Sequence, residues 1–212
     1  MVIRRIAPDR PPPVPRQQVG DVPEWTDLEL LSALAAQDPR AGVALYDRLI
    51  RIVEWTILRV VGQRGPDHED LVQSAFEQIV TSLYRRRYER ECSLTSWASA
   101  ISCHIALNAL RARRRQRLLG TENLRRDLEP ARADLESQLA ARQALERIRT
   151  ELSRMNRARA EVLVLHEVNG LELAEIAHVL GISVAAAQSR LARGRRELRE
   201  RLDLGQRAGG TS

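Results

Sequence analysis

The stretch "GLELAEIAHVLGISVAAAQSRLARGRRELR", Gly170 to Arg199, decides how the chain folds. Leu173, Ile176, Ala177 and Leu180 make one apolar face, Gly181 supplies a turn, Ile182 points to a core, and Ser183 is placed to cap the next helix. A short helix, a glycine turn and a second helix form a helix-turn-helix pattern. At ~100° per residue, Val184, Ala187, Leu191, Gly194 and Leu198 fall on the inner side of the second helix. Ala185, Ser189, Ala192, Arg193 and Arg196 fall on the outer side, with Gln188 and Arg190 at its edges. Small residues near the helix start allow the backbone to approach a major groove, and Gln and Arg reach base edges. Arg190, Arg195 and Arg199 suit phosphates, which fix position without reading sequence. The plainer alternative is a structural hairpin with a solvated arginine face. Many regulators share this module, so the rest of the chain must say which kind this is.

The 212 residues suit two small domains or one medium one. Aromatics make up only 3%, so any core is aliphatic, and the net charge of +6 favours an anionic partner, nucleic acid first. All 34 basic side chains are arginine, whose planar fork matches phosphate and base edges. The start carries no apolar signal-peptide core, and no apolar run is long enough to span a bilayer, which together predict a cytoplasmic protein. Cys92 and Cys103 lack a CxxC spacing and read as reduced thiols; Cys103-His104 does not complete a tetrahedral metal set. With no P-loop and no paired nucleophile and base, neither catalysis nor a cofactor is expected.

Outward from the motif, residues 1–24 are Pro/Arg-rich and aperiodic, the composition of a disordered tail. Thr26 reads as the cap of a helix with Leu28, Leu31 and Ala35 on one face, broken at Asp38-Pro39. A long helix comes next, with Val43, Leu45, Leu49, Ile52, Val53, Ile57 and Val60, ending at Gly62 and Gly65-Pro66. Asp67, Glu69 and Asp70 open the third helix, where negative charge suits the dipole, and Val72, Ala75, Phe76, Ile79 and Leu83 form its buried stripe. Thr95 or Ser96 is expected to cap a helix starting near Trp97, with Trp97, Ile101 and Ile105 inward. His104, Asn108, Arg111 and Arg115 line another face of that helix, either a nucleic-acid surface or a solvated stripe. Residues 117–138 read as a linker. A second periodic block starts near Leu139, with Leu145, Ile148 and Leu152 on one face, and 206–212 read as a frayed tail. The expectation is all-α: two helical bundles, 25–116 and 139–205, joined by a flexible tether.

Four segments in order, "TDLELLSALAAQDPRAGVALYDRL", "DHEDLVQSAFEQIV", "SWASAISCHIALNALRARRR" and the Gly170–Arg199 stretch, resemble the RNA polymerase sigma factors of the sigma-70 family, extracytoplasmic-function type. The resemblance implies a promoter-specificity subunit that binds core polymerase and recognises −35 and −10 elements. Asp70, Leu71 and Gln73 then match the motif that docks on the β′ clamp helices, with Ser74 standing where an acid is common. The stretch from Tyr88 to Trp97, with Arg90, His104, Asn108, Arg111 and Arg115, matches the region that recognises and melts the −10 element. Relatives often carry Gly, Asn and Asp where Arg90, His104 and Asn108 stand, and Tyr84, Tyr88 and Trp97 are candidates to stack on separated bases. Ala185, Gln188, Ser189, Arg190, Arg193 and Arg196 match the −35 reader, with three alanines where Gly-Thr-Val is usual. The resemblance also implies docking on the β flap, near Val162 to Val168, and a dedicated anti-sigma partner. Three rivals remain: an autonomous helix-turn-helix regulator, a DNA-targeted enzyme, and a sigma-like binder that has lost melting.

Overall fold

A computed structural model of the chain describes residues 25–62, 64–85, 87–88, 92–120 and 135–209. The expected N-terminal tail, most of the expected linker, and Arg90 lie outside these residues. Among the described residues the protein is all-α, with α1 Asp27–Ala35, α2 Pro39–Val61, α3 His68–Tyr84, α4 Leu94–Leu118, α5 Leu135–Arg154, α6 Arg157–Glu167, α7 Leu173–Leu180 and α8 Val184–Gly209.

Local chemistry sets most of the boundaries. Thr26 and Glu29 form a reciprocal capping box, in which the Thr26 hydroxyl accepts from the Glu29 amide and Glu29 accepts from the Thr26 amide. Asp38 caps α2 with Pro39 in its first turn, where a missing N–H costs nothing. The cap of α4 is Ser93, three residues ahead of Ser96, so the helix starts at Leu94 rather than near Trp97. The hydroxyl of Ser96, expected at the helix end, is instead buried inside it. Helix α5 already begins at Leu135, and α8 runs to Gly209 through the segment expected to fray.

In the first half α2 and α3 pack on α4, and α1 packs on α2. Leu49, Val53, Ile57, Ala75, Ile79, Leu94, Ala98 and Leu107 are buried there. In the short α1, Leu30 is the buried residue and Leu28 is 59% exposed, the reverse of the expected phase. Val43 and Leu145 also lie at the surface: Val43 is ~200° round the helix from the buried Ala41 and Leu45, and Leu145 precedes Leu152, the first buried hydrophobic residue of α5.

The second half is built on α6, whose Val162, Leu163, Val164 and Leu165 are all buried. This segment, expected as a polymerase contact, is core because α8, α7 and α4 all pack against α6. Gly181 takes φ +61° between α7 and α8, a left-handed conformation that glycine adopts without a Cβ clash. Gly194 is buried where α8 crosses α6, and a Cβ there would lie 3.2 Å from the Arg159 carbonyl oxygen.

The two halves pack on each other. Helix α4 meets α5, α6 and α7 with the face that does not touch α2 and α3. Its small residues allow this: Ser99, Ser102, Cys103 and Ala106 are buried. The buried hydroxyls are satisfied within the helix, Ser99 donating to the Thr95 carbonyl at 2.9 Å and Ser102 to the Ala98 carbonyl at 2.8 Å. Burial pushes the Cys103 thiol far above its ordinary range, which leaves it an inert packing group.

Candidate nucleic-acid interface

The helix-turn-helix presents its outer face to solvent. Ser183 accepts from the Ala186 amide at 3.2 Å and so fixes the start of α8. Ala187 and Leu191 point inward and are buried, as the helical period requires. Val184 departs from the period and is 48% exposed. Ala185, Gln188, Ala192, Arg193 and Arg196 are exposed, while Ser189 and Arg190 are half-buried at the margin. This is an arginine-flanked ridge with small residues at its leading end, the geometry a major-groove helix needs.

Three ion pairs lie behind the ridge. Arg195, expected to serve phosphates, instead pairs with Glu167 at the end of α6. Glu197 accepts from Arg159 of α6 at 2.8 Å and from Arg201 at 3.0 Å. Burial alone pushes the Glu197 carboxyl up, but the hydrogen bonds from Arg159 and Arg201 hold it below the usual carboxylate value.

Helix α4 carries the second polar stripe, and its members have separate fates. Asn108 and Arg115 are exposed. His104 and Arg111 face α6. His104 Nδ1 lies 2.9 Å from Glu161 Oε1, and the same oxygen accepts from Arg157 Nε at 3.1 Å. Arg157 also lies against the His104 ring. Both terminal nitrogens of Arg111 are buried without a hydrogen-bond partner. Burial lowers the Arg111 pKa, and the neighbouring Arg157 charge lowers it further.

The aromatic set divides as well. Tyr84 is 77% exposed. Tyr88 and Trp97 are half-buried with ring centroids 5.1 Å apart, and the Tyr88 hydroxyl donates to the Cys92 carbonyl. These two rings support each other before they could support a base.

On the far side of the first half, α3 offers Asp70, Gln73 and Ser74 to solvent, with Leu71 half-buried beneath them. Gln73 donates to Glu77 one turn on at 2.9 Å. Asp67 forms a long ion pair with Arg113 at 3.5 Å. Sequence reasoning missed an apolar groove beside this face, lined by Leu34, Tyr46, Val72 and Phe76 with the buried His68. Neither ring nitrogen of His68 has a hydrogen-bond partner. It also missed Glu161, Asn169 and Glu175, which contact residues far away in the chain. Among the described residues no group of His, Cys, Asp and Glu could hold a metal, and no helix is long and apolar enough to cross a membrane.

The two halves correspond to two family models. Residues 45–116 match sigma-70 region 2, and residues 145–198 match sigma-70, region 4. The RNA polymerase sigma factor CnrH of Cupriavidus metallidurans is 34% identical over 188 residues, covering 85% of this chain and 96% of CnrH. The ECF RNA polymerase sigma factor SigM of Mycobacterium tuberculosis is 27% identical over 191 residues, covering 89% of this chain and 92% of SigM. The solved structure of CnrH in complex with the cytosolic domain of CnrY is similar in fold, with a TM-score of 0.53 at 26% identity, over 87% of this chain and 99% of that one.

Proposed function

The chain belongs to the extracytoplasmic-function sigma factors of the sigma-70 family, the promoter-specificity subunits that bind core RNA polymerase and recognise −35 and −10 elements, and from that premise we propose how its residues divide the work. Residues 25–116 dock on the polymerase clamp and handle the −10 element, 117–138 span the gap, and 139–205 read the −35 element. The observation that carries this reading is the exposed ridge of α8, with Ala185, Gln188, Arg193 and Arg196 open to solvent in the half that matches region 4.

On that ridge, Gln188, Ser189 and Arg193 contact base edges, Ala185 lets the backbone approach, and Arg190 and Arg196 hold the phosphates. Losing the hydroxyl that usually precedes Gln188 removes one anchor and leaves discrimination to the longer side chains. Asp70, Leu71 and Gln73 engage the clamp helices through an exposed polar rim over a half-buried leucine. Tyr88, His104, Asn108, Arg111 and Arg115, with Arg90 outside the described residues, take the −10 strand once it is unpaired. Flipping a base costs a few kcal/mol, which polymerase and phosphate contacts offset.

Sigma factors are non-enzymatic initiation factors, and we assign no chemical step and no cofactor to this chain. It works in the cytoplasm, where polymerase is. CnrH forms a complex with the cytosolic domain of CnrY; an anti-sigma protein partner of this kind is proposed here too.

The test is transcription of fragmented genomic DNA by bacterial core polymerase with and without the chain. New starts that share a −35/−10 pair support the reading. Specific DNA binding without polymerase association would replace it with the autonomous regulator, and polymerase association without new starts with the non-melting binder.

A further inference from the structure

The apolar groove between α1, α2 and α3 holds most of the aromatic rings in the chain. The sequence has three tyrosines and one phenylalanine, and all four line this groove: Tyr46 on α2, Phe76 and Tyr84 on α3, and Tyr88 after it. Tyr46 and Phe76 face each other with ring centroids 4.9 Å apart. Tyr46 is 49% exposed and Tyr84 77%, so neither ring is placed as core. Aromatic rings bury more area than any other side chain. Gathering them on an open surface, above a core that is aliphatic, marks a face built to be covered.

The groove also sets conditions on what covers it. His68 at one end is buried with neither ring nitrogen partnered, and Glu54 and Glu69 lie beside it. An occupant must therefore bring a hydrogen-bonding group as well as apolar surface. The groove encloses about 1190 Å³, more than the roughly 300–1,000 Å³ typical of small-molecule sites. A length of polypeptide fits it better. Since Tyr46 pairs with Phe76 and only a short connection joins α2 to α3, the two helices run antiparallel. The groove thus leads from Gly42 and Tyr84, at the α1 end, to Glu54 and His68.

The chain itself supplies such a length. Residues 1–24, outside the described residues, contain six of the nine prolines: Pro8, Pro11, Pro12, Pro13, Pro15 and Pro23. Proline runs favour the polyproline II helix, whose carbonyls make no internal hydrogen bonds and stay open to donors such as His68 and tyrosine hydroxyls. Proline-rich segments dock in aromatic-lined grooves by this chemistry. The lengths agree. His68 and Leu83 on α3 are roughly 22 Å apart, and Pro8 to Pro15 span roughly 22 Å as polyproline II. Residues 16–24 reach at most roughly 30 Å, enough to return along the length of α1, roughly 13 Å. Charge sets the direction, because Arg4, Arg5 and Arg10 precede most of the prolines and the acids lie at the far end.

We propose that the α1–α2–α3 groove is a polyproline-binding site for the chain's own residues 8–15, which run from Tyr84 towards His68 and bring Arg4, Arg5 and Arg10 to Glu54 and Glu69. A short tether gives the segment an effective concentration in the millimolar range, which favours it over a second copy of the chain. The surface ion pairs contribute little affinity and serve to set orientation.

Every tyrosine lines the groove, so full chain labelled with 3-fluorotyrosine reports on it by fluorine NMR. The parent is compared with a variant carrying Pro11→Ser, Pro12→Ser, Pro13→Ser and Pro15→Ser together, at matched helicity. The Tyr46 and Tyr84 resonances should differ between the two. A synthetic peptide of residues 6–17 should return those of the variant to the parent positions, and the parent should need at least about tenfold more peptide to respond. Identical resonances in parent and variant overturn the proposal, as does a peptide that moves none in the variant. Resonances of the parent that move with chain concentration give the groove to a second copy, and resonances that move only with core polymerase give it to the clamp. Either result replaces the proposed occupant.

Discussion

Helices α4 and α8 each carry an arginine-ended polar stripe, and the two stripes meet different neighbours. On α8 the stripe faces solvent, because α6 and α7 pack only on the side of Ala187 and Leu191. On α4 the stripe is cut in two. Asn108 and Arg115 stay open, while His104 and Arg111 lie under α6. The period of a stripe therefore states which residues share a face, and only the tertiary packing states whether that face is free. A helix with neighbours on one side keeps its polar face, whereas a helix with neighbours on both sides gives part of it up.

The largest expected effect breaks the open face from beneath. Ile176 is fully buried under the turn that orients α8, and Ile176→Ala should cost about 2–5 kcal/mol. A lowered thermal midpoint and loss of −35 duplex binding should appear together. A stable variant that still reads −35 would show that α8 does not depend on α7.

Next comes the reading itself. Gln188→Ala and Arg193→Ala should each remove about 1–3 kcal/mol of discrimination at one base pair, measured as the affinity ratio of consensus to substituted −35 duplexes. The same measurement on His104→Ala should give the parent ratio, since that residue belongs to the covered face. A smaller contrast lies in salt dependence. In the free chain, Arg190→Ala should flatten the log-affinity versus log-salt slope on −35 duplex by about 0.9, and Arg115→Ala should leave it unaltered.

The smallest effect concerns pH. The Glu197 carboxyl is held below its ordinary value of 4.5, so its stabilising contribution is present above that value and lost as pH falls through the lower folded value. The difference in thermal midpoint between the parent and Glu197→Gln should therefore be present at neutral pH and shrink on acidification.

Much of the fold was legible because its signals are local. The Thr26 cap, the Asp38-Pro39 break, the Gly181 turn and the Ser183 cap each depend on atoms within a few residues. The outer face of α8 was legible for the same reason, since a long helix with one apolar side has only one phase. The phase of α1 was not. Its nine residues include Leu28, Leu30, Leu31 and Leu34, so two phases fit equally well, and contact with α2 decides for Leu30. The serine-rich start of α4 hid its cap among Ser93, Thr95 and Ser96. The covered half of the α4 stripe was illegible, because nothing around His104 announces a glutamate 57 positions later. Of the segment Val162 to Val168, which the resemblance places near the β flap, Val162 to Leu165 are buried, because a continuous apolar run belongs to a helix covered on several sides.

One measurement bears most directly on the division into two DNA faces, one open and one closed. The free chain and the core-bound chain are titrated in parallel with the −35 duplex and with the single-stranded −10 probe. The free chain should select the −35 duplex and barely engage the −10 strand, and core polymerase should bring out −10 binding. A free chain that binds the −10 strand as tightly as the core-bound chain does would contradict that division.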